Sequence, residues 1–118
     1  MSKLFRPARV RIGGQIWRIE FRSRLEDGNL YNDTYGYTLD AGNLIVIDGT
    51  TALGKQQTTL IHEILHAARM TYDSTVRPGR KAEFSEIEHY FIGVWEQPLL
   101  QIIKDNTEVI AWLTLDEG

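Results

Sequence analysis

The chain contains no cysteine, and only three prolines and three histidines among its 118 residues. Without cysteine, neither a disulfide framework nor a thiolate metal site can form. Any metal must therefore sit on His, Asp or Glu, the donor set of catalytic zinc rather than of Cys-rich structural zinc. Long hydrophobic runs are missing as well. The opening MSKLFRPARV lacks the apolar core of a signal peptide, and no later run reaches bilayer length, which predicts a soluble cytoplasmic protein with no membrane partner. No repeat, low-complexity tract or linker divides the sequence. With 42% hydrophobic residues, the length suits one compact domain over 1–118 whose core needs no cross-links.

Net charge is only −3, but residues 1–24 hold seven Lys or Arg against one acid, Glu20. Within that stretch, ARVRIGGQIWRIEFRSR reads as two strands around Gly13-Gly14, a tight-turn signal between alternating apolar and polar positions. Val10, Ile12, Trp17, Ile19 and Phe21 mark a core face. Arg9, Arg11, Arg18, Glu20 and Arg22 mark the other, a basic face of the kind that is most often simply solvated. It could meet nucleic acid or an acidic partner, but the acidic net charge speaks against nucleic acid.

SRLEDGNLYNDT is rich in turn formers and predicts a loop. A second hairpin follows, Tyr35–Leu39 and Leu44–Asp48, turning through Asp40 to Asn43. The spacing then predicts a helix from Leu53 or Lys55 to Tyr72 and a break at DSTVRPGRK, an exposed loop. A second helix is expected over 82–104, kinked or split at Pro98, and a short last helix over Glu108–Leu113. Strands first and helices after give an α+β domain, a small antiparallel sheet of two hairpins packed on the first long helix.

That first helix carries TTLIHEILHAARM. Residues four apart on a helix differ by only about 40° around its axis, so His62 and His66 can aim two imidazoles at one ion. Glu63, about 100° further round, borders such a site without joining it. This is the mechanical sense of H-E-x-x-H: two zinc ligands and a general base. A shuffled sequence of this composition would show the pattern on the order of 0.5% of the time, and an apolar helix has no packing reason to carry three polar groups. Arg69 and Tyr72 stand where a metzincin would place its glycine and third histidine. The third ligand must come from another segment, and the helix from residue 82 offers Glu83, Glu86, Glu88 and His89. If Ile87, Phe91 and Val94 set that helix's core face, Glu88 lies on its flank, Glu83 on the opposite flank, and Glu86 and His89 point largely away. Glu88 is the geometric choice, and His89 would complete a three-His site if the helix were rotated.

YGYTLDAGNLIVIDGTT, then QQTTLIHEILHAARM, then an acidic helix ending LLQIIKDN resembles the small zincin-like metallopeptidase proteins of phages and prophages, across roughly residues 10–106. The resemblance implies a minimal zincin-like fold, in which a curled antiparallel sheet packs on the H-E-x-x-H helix and the acidic helix supplies a glutamate. It also implies a gluzincin-type zinc site and a phage origin, with the host cell cytoplasm as its place. Relatives often show paired acids where this chain reads Glu88-His89, so the third ligand stays open among the residues named above.

The expected activity is zinc-dependent hydrolysis of a peptide or protein substrate. Glu63 would take a proton from a water activated by the metal and pass it to the leaving amine. NLIVID, just before the motif helix, is the candidate edge for an extended peptide. Tyr72 or Tyr90 could donate to an oxyanion, although buried packing is the commoner role for either. The alternative is a non-catalytic, zinc-bound regulatory or interaction protein, against which the retention of Glu63 argues.

Overall fold

The computed structural model describes residues 5–72 and 84–116, the side chains of 84–87 excepted. The chain is α+β: four strands, β1 (Arg9–Ile12), β2 (Gln15–Arg22), β3 (Gly36–Leu39) and β4 (Leu44–Asp48), precede three helices, α1 (Leu53–Tyr72), α2 (Phe84–Asp105) and α3 (Thr107–Leu113). The DSTVRPGRK stretch, expected as an exposed loop over 73–81, and residues 82–83, expected to open the second helix and including Glu83, lie outside the described residues. Among the described residues no helix is long and apolar enough to cross a membrane.

Both expected hairpins form, but the sheet is mixed rather than antiparallel. Its order is β1-β2-β4-β3, with β2 and β4 parallel and the other two pairs antiparallel. The reason lies in the strand sequences. LIVID is apolar on both faces and every one of its residues is buried, the pattern of a central strand. GYTL is half-exposed and takes the edge. For β4 to lie beside β2, residues 23–35 must carry the chain across the sheet before β3 begins. They cover its outer face there, burying Leu30 against Leu44, Val46 and Tyr37. NLIVID is therefore no edge for a peptide, and the free edge on that side belongs to β3.

On the inner face Val10, Ile12, Trp17, Ile19, Ile45 and Ile47 meet Leu60, Ile64, Ala67 and Ala68 of α1. Ala67 and Ala68 are fully buried, and their small side chains let the helix lie close to the sheet. Asp48 sets the entry to α1. Its carboxylate accepts from Thr50 N–H at 3.0 Å and Thr50 Oγ1 at 2.6 Å, and from Arg24 Nε at 2.9 Å. Trp17 Nε1 donates to Thr71 Oγ1 at 3.1 Å near the other end of the helix. The α1 helix is thus held against the sheet at both ends, with the histidine turn between them.

The α2 helix runs through Pro98 as one element rather than splitting. Pro98 leaves the Val94 carbonyl without its helical donor, on a half-buried residue flanked by the exposed residues 91–93 and 96–97. The α2 core face is carried by Trp95 and Ile102, while Phe91, assigned to that face from the sequence, is 52% exposed. As expected, α3 buries Val109 and Trp112 and half-buries Ile110 and Leu113.

Candidate metal centre

The His62 and His66 rings project from one face of α1, their Nε2 atoms 3.1 Å apart and their ring centroids 4.7 Å apart. Two nitrogens bound to one tetrahedral zinc at about 2.0–2.1 Å each lie roughly 3.3–3.4 Å apart. The observed separation is a few tenths of an ångström shorter, so the pair can hold zinc with minor adjustment. Both residues are exposed, whereas Glu63 is buried. Its Oε2 lies 4.0 Å from His62 Nε2, wider than the roughly 3.3–3.4 Å between two ligands of one tetrahedral zinc. The i, i+1 and i+4 positions of the motif therefore separate as the helical repeat requires: two donors in front, one carboxylate at the flank and rear.

Strand β3 forms the wall opposite. The Thr38 hydroxyl lies 2.7 Å from Glu63 Oε1 and 3.2 Å from the Glu63 carbonyl oxygen. It has one hydrogen, and the charged acceptor at the shorter distance takes it. Gly36 makes this approach possible. A Cβ there would lie 2.7 Å from Thr59 Cγ2, 2.8 Å from the Val46 carbonyl oxygen and 3.4 Å from Glu63 Cγ. Two hollows open between β3 and α1. One, about 330 Å³, is lined by Asp33, Tyr35, Lys55 and Thr58 as it approaches His62 and Glu63; the other, about 350 Å³, runs past Thr38, His62, Glu63 and His66 to Met70. At the outer end of the first, the Lys55 ammonium stands 4.2 Å from the centre of the Tyr35 ring.

The pairing of β3 shows what its free edge presents. Asp48 N–H donates to the Tyr35 carbonyl at 2.8 Å, and Gly36 lies opposite Ile47, Tyr37 opposite Val46 and Thr38 opposite Ile45. In an antiparallel ladder the bonded residues alternate. Tyr35 and Tyr37 therefore turn their backbone groups toward β4, and Gly36 and Thr38 turn theirs outward along the cleft.

Of the residues assigned from the sequence, His62, Glu63 and His66 come together. Glu88 and His89 are exposed, and among the described residues no group of three His, Asp or Glu assembles that could hold an ion. Glu83 and the Glu86 side chain lie outside the description. Glu88 shares a helical stripe with Trp95 and Ile102, since steps of seven residues drift by only about 20°; Trp95 and Ile102 pack on the core, while Glu88 itself is exposed. On the outer flank of α1, Ile61 and Leu65 line an apolar hollow of about 200 Å³ with Leu99 and Ile103 of α2. Neither tyrosine considered as an oxyanion donor lines the hollows beside Glu63. Tyr72 lies over Gly13 at the first hairpin turn, and Tyr90 stacks edge-on against Phe91. Thr38 and Gly36 were not singled out from the sequence. A glycine inside a strand pattern is nonetheless a recognised sign of close backbone approach, and GYT carries it.

Searches against family models, curated proteins and solved structures return no match. A functional reading of the chain therefore rests on the geometry of His62, Glu63, His66 and the strand facing them.

Proposed function

We propose that the chain is a zinc-dependent metallopeptidase that hydrolyses a peptide bond with Glu63 as general base. The carrying observation is the convergence of two imidazole Nε2 atoms at 3.1 Å beside a buried carboxylate that faces a cleft. A carboxylate kept out of water costs several kcal/mol unless it is compensated, and nothing in the packing of α1 asks for one at this turn. The donor set fits zinc: His62 and His66 would hold it, with a third ligand from the acidic turn of α2. Glu88 is the assigned residue, and Glu83, Glu86 and His89 are the alternatives. When bound, zinc supplies Lewis acidity that brings the pKa of a coordinated water toward about 7.

The protein's own residues do the rest. An extended peptide lies along β3, exchanging backbone hydrogen bonds with the outward N–H and C=O groups of Gly36 and Thr38. Its scissile carbonyl then faces the histidine pair. Glu63 Oε2, the oxygen nearer that pair, accepts the proton of the attacking water and delivers it to the departing amine. Closure of the cleft by the bound peptide excludes other water.

The test combines metal content with turnover. Purified protein should carry about one zinc per chain, and His62→Ala or His66→Ala should lose most of it. Glu63→Gln should keep fold and metal while abolishing cleavage of an internally quenched peptide library. Full zinc occupancy in either histidine variant would remove the basis of the reading. Unchanged cleavage in Glu63→Gln would remove Glu63 as the base, and a zinc-loaded wild type that cleaves nothing would leave a non-catalytic zinc protein in its place.

A further inference from the structure

We infer that Thr38 is a positioning residue that keeps Glu63 a base and prevents it from becoming a metal ligand. The inference rests on the zinc-site reading above and extends it to a residue outside the motif.

A glutamate next to two histidines would otherwise turn to the metal they hold. An ionised carboxylate that is buried seeks the nearest cation or donor. Once an ion sits between His62 and His66, that cation is the metal, and Glu63 Oε2 already lies 4.0 Å from His62 Nε2. The side chain has rotatable bonds enough to close that gap. A carboxylate that did so would occupy the position needed by water and would lose its basicity to the metal.

Three features oppose this. The Thr38 hydroxyl donates to Oε1 at 2.7 Å, a charge-assisted bond. The donor itself is fixed, because it stands on β3, whose Tyr35 and Tyr37 are tied into the β4 ladder. Strand and helix are also in contact at Gly36 beneath it, where there is no room for even a Cβ. One carboxylate oxygen is thus anchored to the sheet and the other is left toward the cleft. The two oxygens have different duties, and a single hydroxyl assigns them. The backbone of Thr38 also faces outward on the free edge of β3, so the residue that orients the base would also take part in setting the substrate's register.

The experiment is a cobalt replacement series in the full chain. Cobalt(II) occupies zinc-type sites, and its visible absorbance weakens as coordination rises above four. Wild type, Thr38→Val, Thr38→Ser and the double variant Thr38→Val with Glu63→Ala would each be loaded with cobalt, with circular dichroism as the check on folding. Valine preserves the shape of threonine and suits a strand, so Thr38→Val removes the donor alone. The expected results are a visible spectrum of bound cobalt that departs from the wild type's in Thr38→Val, as carboxylate replaces water, and returns to it in Thr38→Ser. The effect of Thr38→Val should also vanish when Glu63 is absent, judged against Glu63→Ala alone. On the quenched peptide library, Thr38→Val should lower kcat on the order of 10- to 100-fold with little change in KM, as supporting residues around metal sites typically do. Identical spectra for wild type and Thr38→Val, or a change in Thr38→Val that persists without Glu63, would overturn the inference while leaving the metal site standing. A wild-type chain that binds no cobalt would overturn both.

Discussion

Asp27 is buried, yet it is charged, because three donors converge on it. The Tyr37 hydroxyl and Arg22 Nη1 both reach Oδ2, the latter at 2.8 Å, and the Asn29 N–H donates to Oδ1 at 3.0 Å. These bonds, Tyr37 first and Arg22 next, hold the carboxyl down at about 2. In the unfolded chain it would titrate near 3.9. A depressed folded-state value contributes stability that is fully present above the unfolded pKa and lost as pH falls through the folded one. The Asp27 contribution should therefore be complete above about pH 4 and fade toward about pH 2. Urea midpoints measured from pH 6 to pH 2 should show wild type well ahead of Asp27→Asn at the upper end, with the gap narrowing across that window. A gap independent of pH would show that the network is not held by the ionised form. The network ties residues 23–35 to the sheet, so its acid release should loosen the segment that covers Leu30.

At the scale of elements, two close approaches decide how strands and helices fit. The first is β3 on α1, where Gly36 leaves no space for a methyl group. Gly36→Ala would press against the Val46 carbonyl, which belongs to a central strand and cannot move aside. Overpacking of this kind costs about 1–3 kcal/mol. The expected result is a lower denaturation midpoint, since β3 would stand off α1; an unchanged midpoint would contradict the contact. The second approach is at the junction of α2 and α3. Asn106 accepts from Arg11 N–H at 2.7 Å and donates to the Arg11 carbonyl at 2.8 Å and the Ile102 carbonyl at 2.7 Å. Its side-chain amide thus stands in for a neighbouring strand along the free edge of β1. Asn106→Ala should destabilise by about 1–3 kcal/mol in chemical denaturation. Asn106→Asp should do no better, because it sets an oxygen against two carbonyls; wild-type stability in Asn106→Asp would argue that the amide donates to neither.

For the whole molecule, the proposed zinc site predicts a link between metal binding and stability. On the reading proposed above, zinc binds the folded chain and not the unfolded one. It should then raise stability by about 2.7 kcal/mol at a free concentration near 100 times Kd. Thermal denaturation with zinc and with a chelator should show that difference in wild type and not in His62→Ala. Single alanine substitutions at Glu83, Glu86, Glu88 and His89, each followed by zinc titration, assign the remaining ligand. Glu88→Ala is expected to lose affinity because Glu88 continues the Trp95–Ile102 stripe. Wild-type affinity in Glu88→Ala alongside loss in one of the others would move the assignment to that residue.

Local pattern by itself determined a good deal of this protein. Period-two alternation around Gly13-Gly14 and the short apolar run of LIVID placed the strands, and the 3.6-residue repeat placed α1 with His62, Glu63 and His66 in their relative positions on it. These are properties of neighbouring residues, and backbone geometry alone converts them into structure. The tertiary structure decided what depends on distant partners. Strand order was not readable, because hairpin signals say which strands pair through a turn and not which hairpin edge meets the next. Only the burial of both faces of LIVID forced β4 inward and left β3 as the free edge. The hydrogen bond from Thr38 to Glu63 spans 25 residues of sequence and exists because Gly36 lets a strand and a helix touch. The α2 core face, too, followed from where the sheet and α3 stand, which moved it from Phe91 to Trp95 and Ile102. A helix repeat specifies which residues share a stripe, but the side of the helix that is buried is chosen by whatever packs against it.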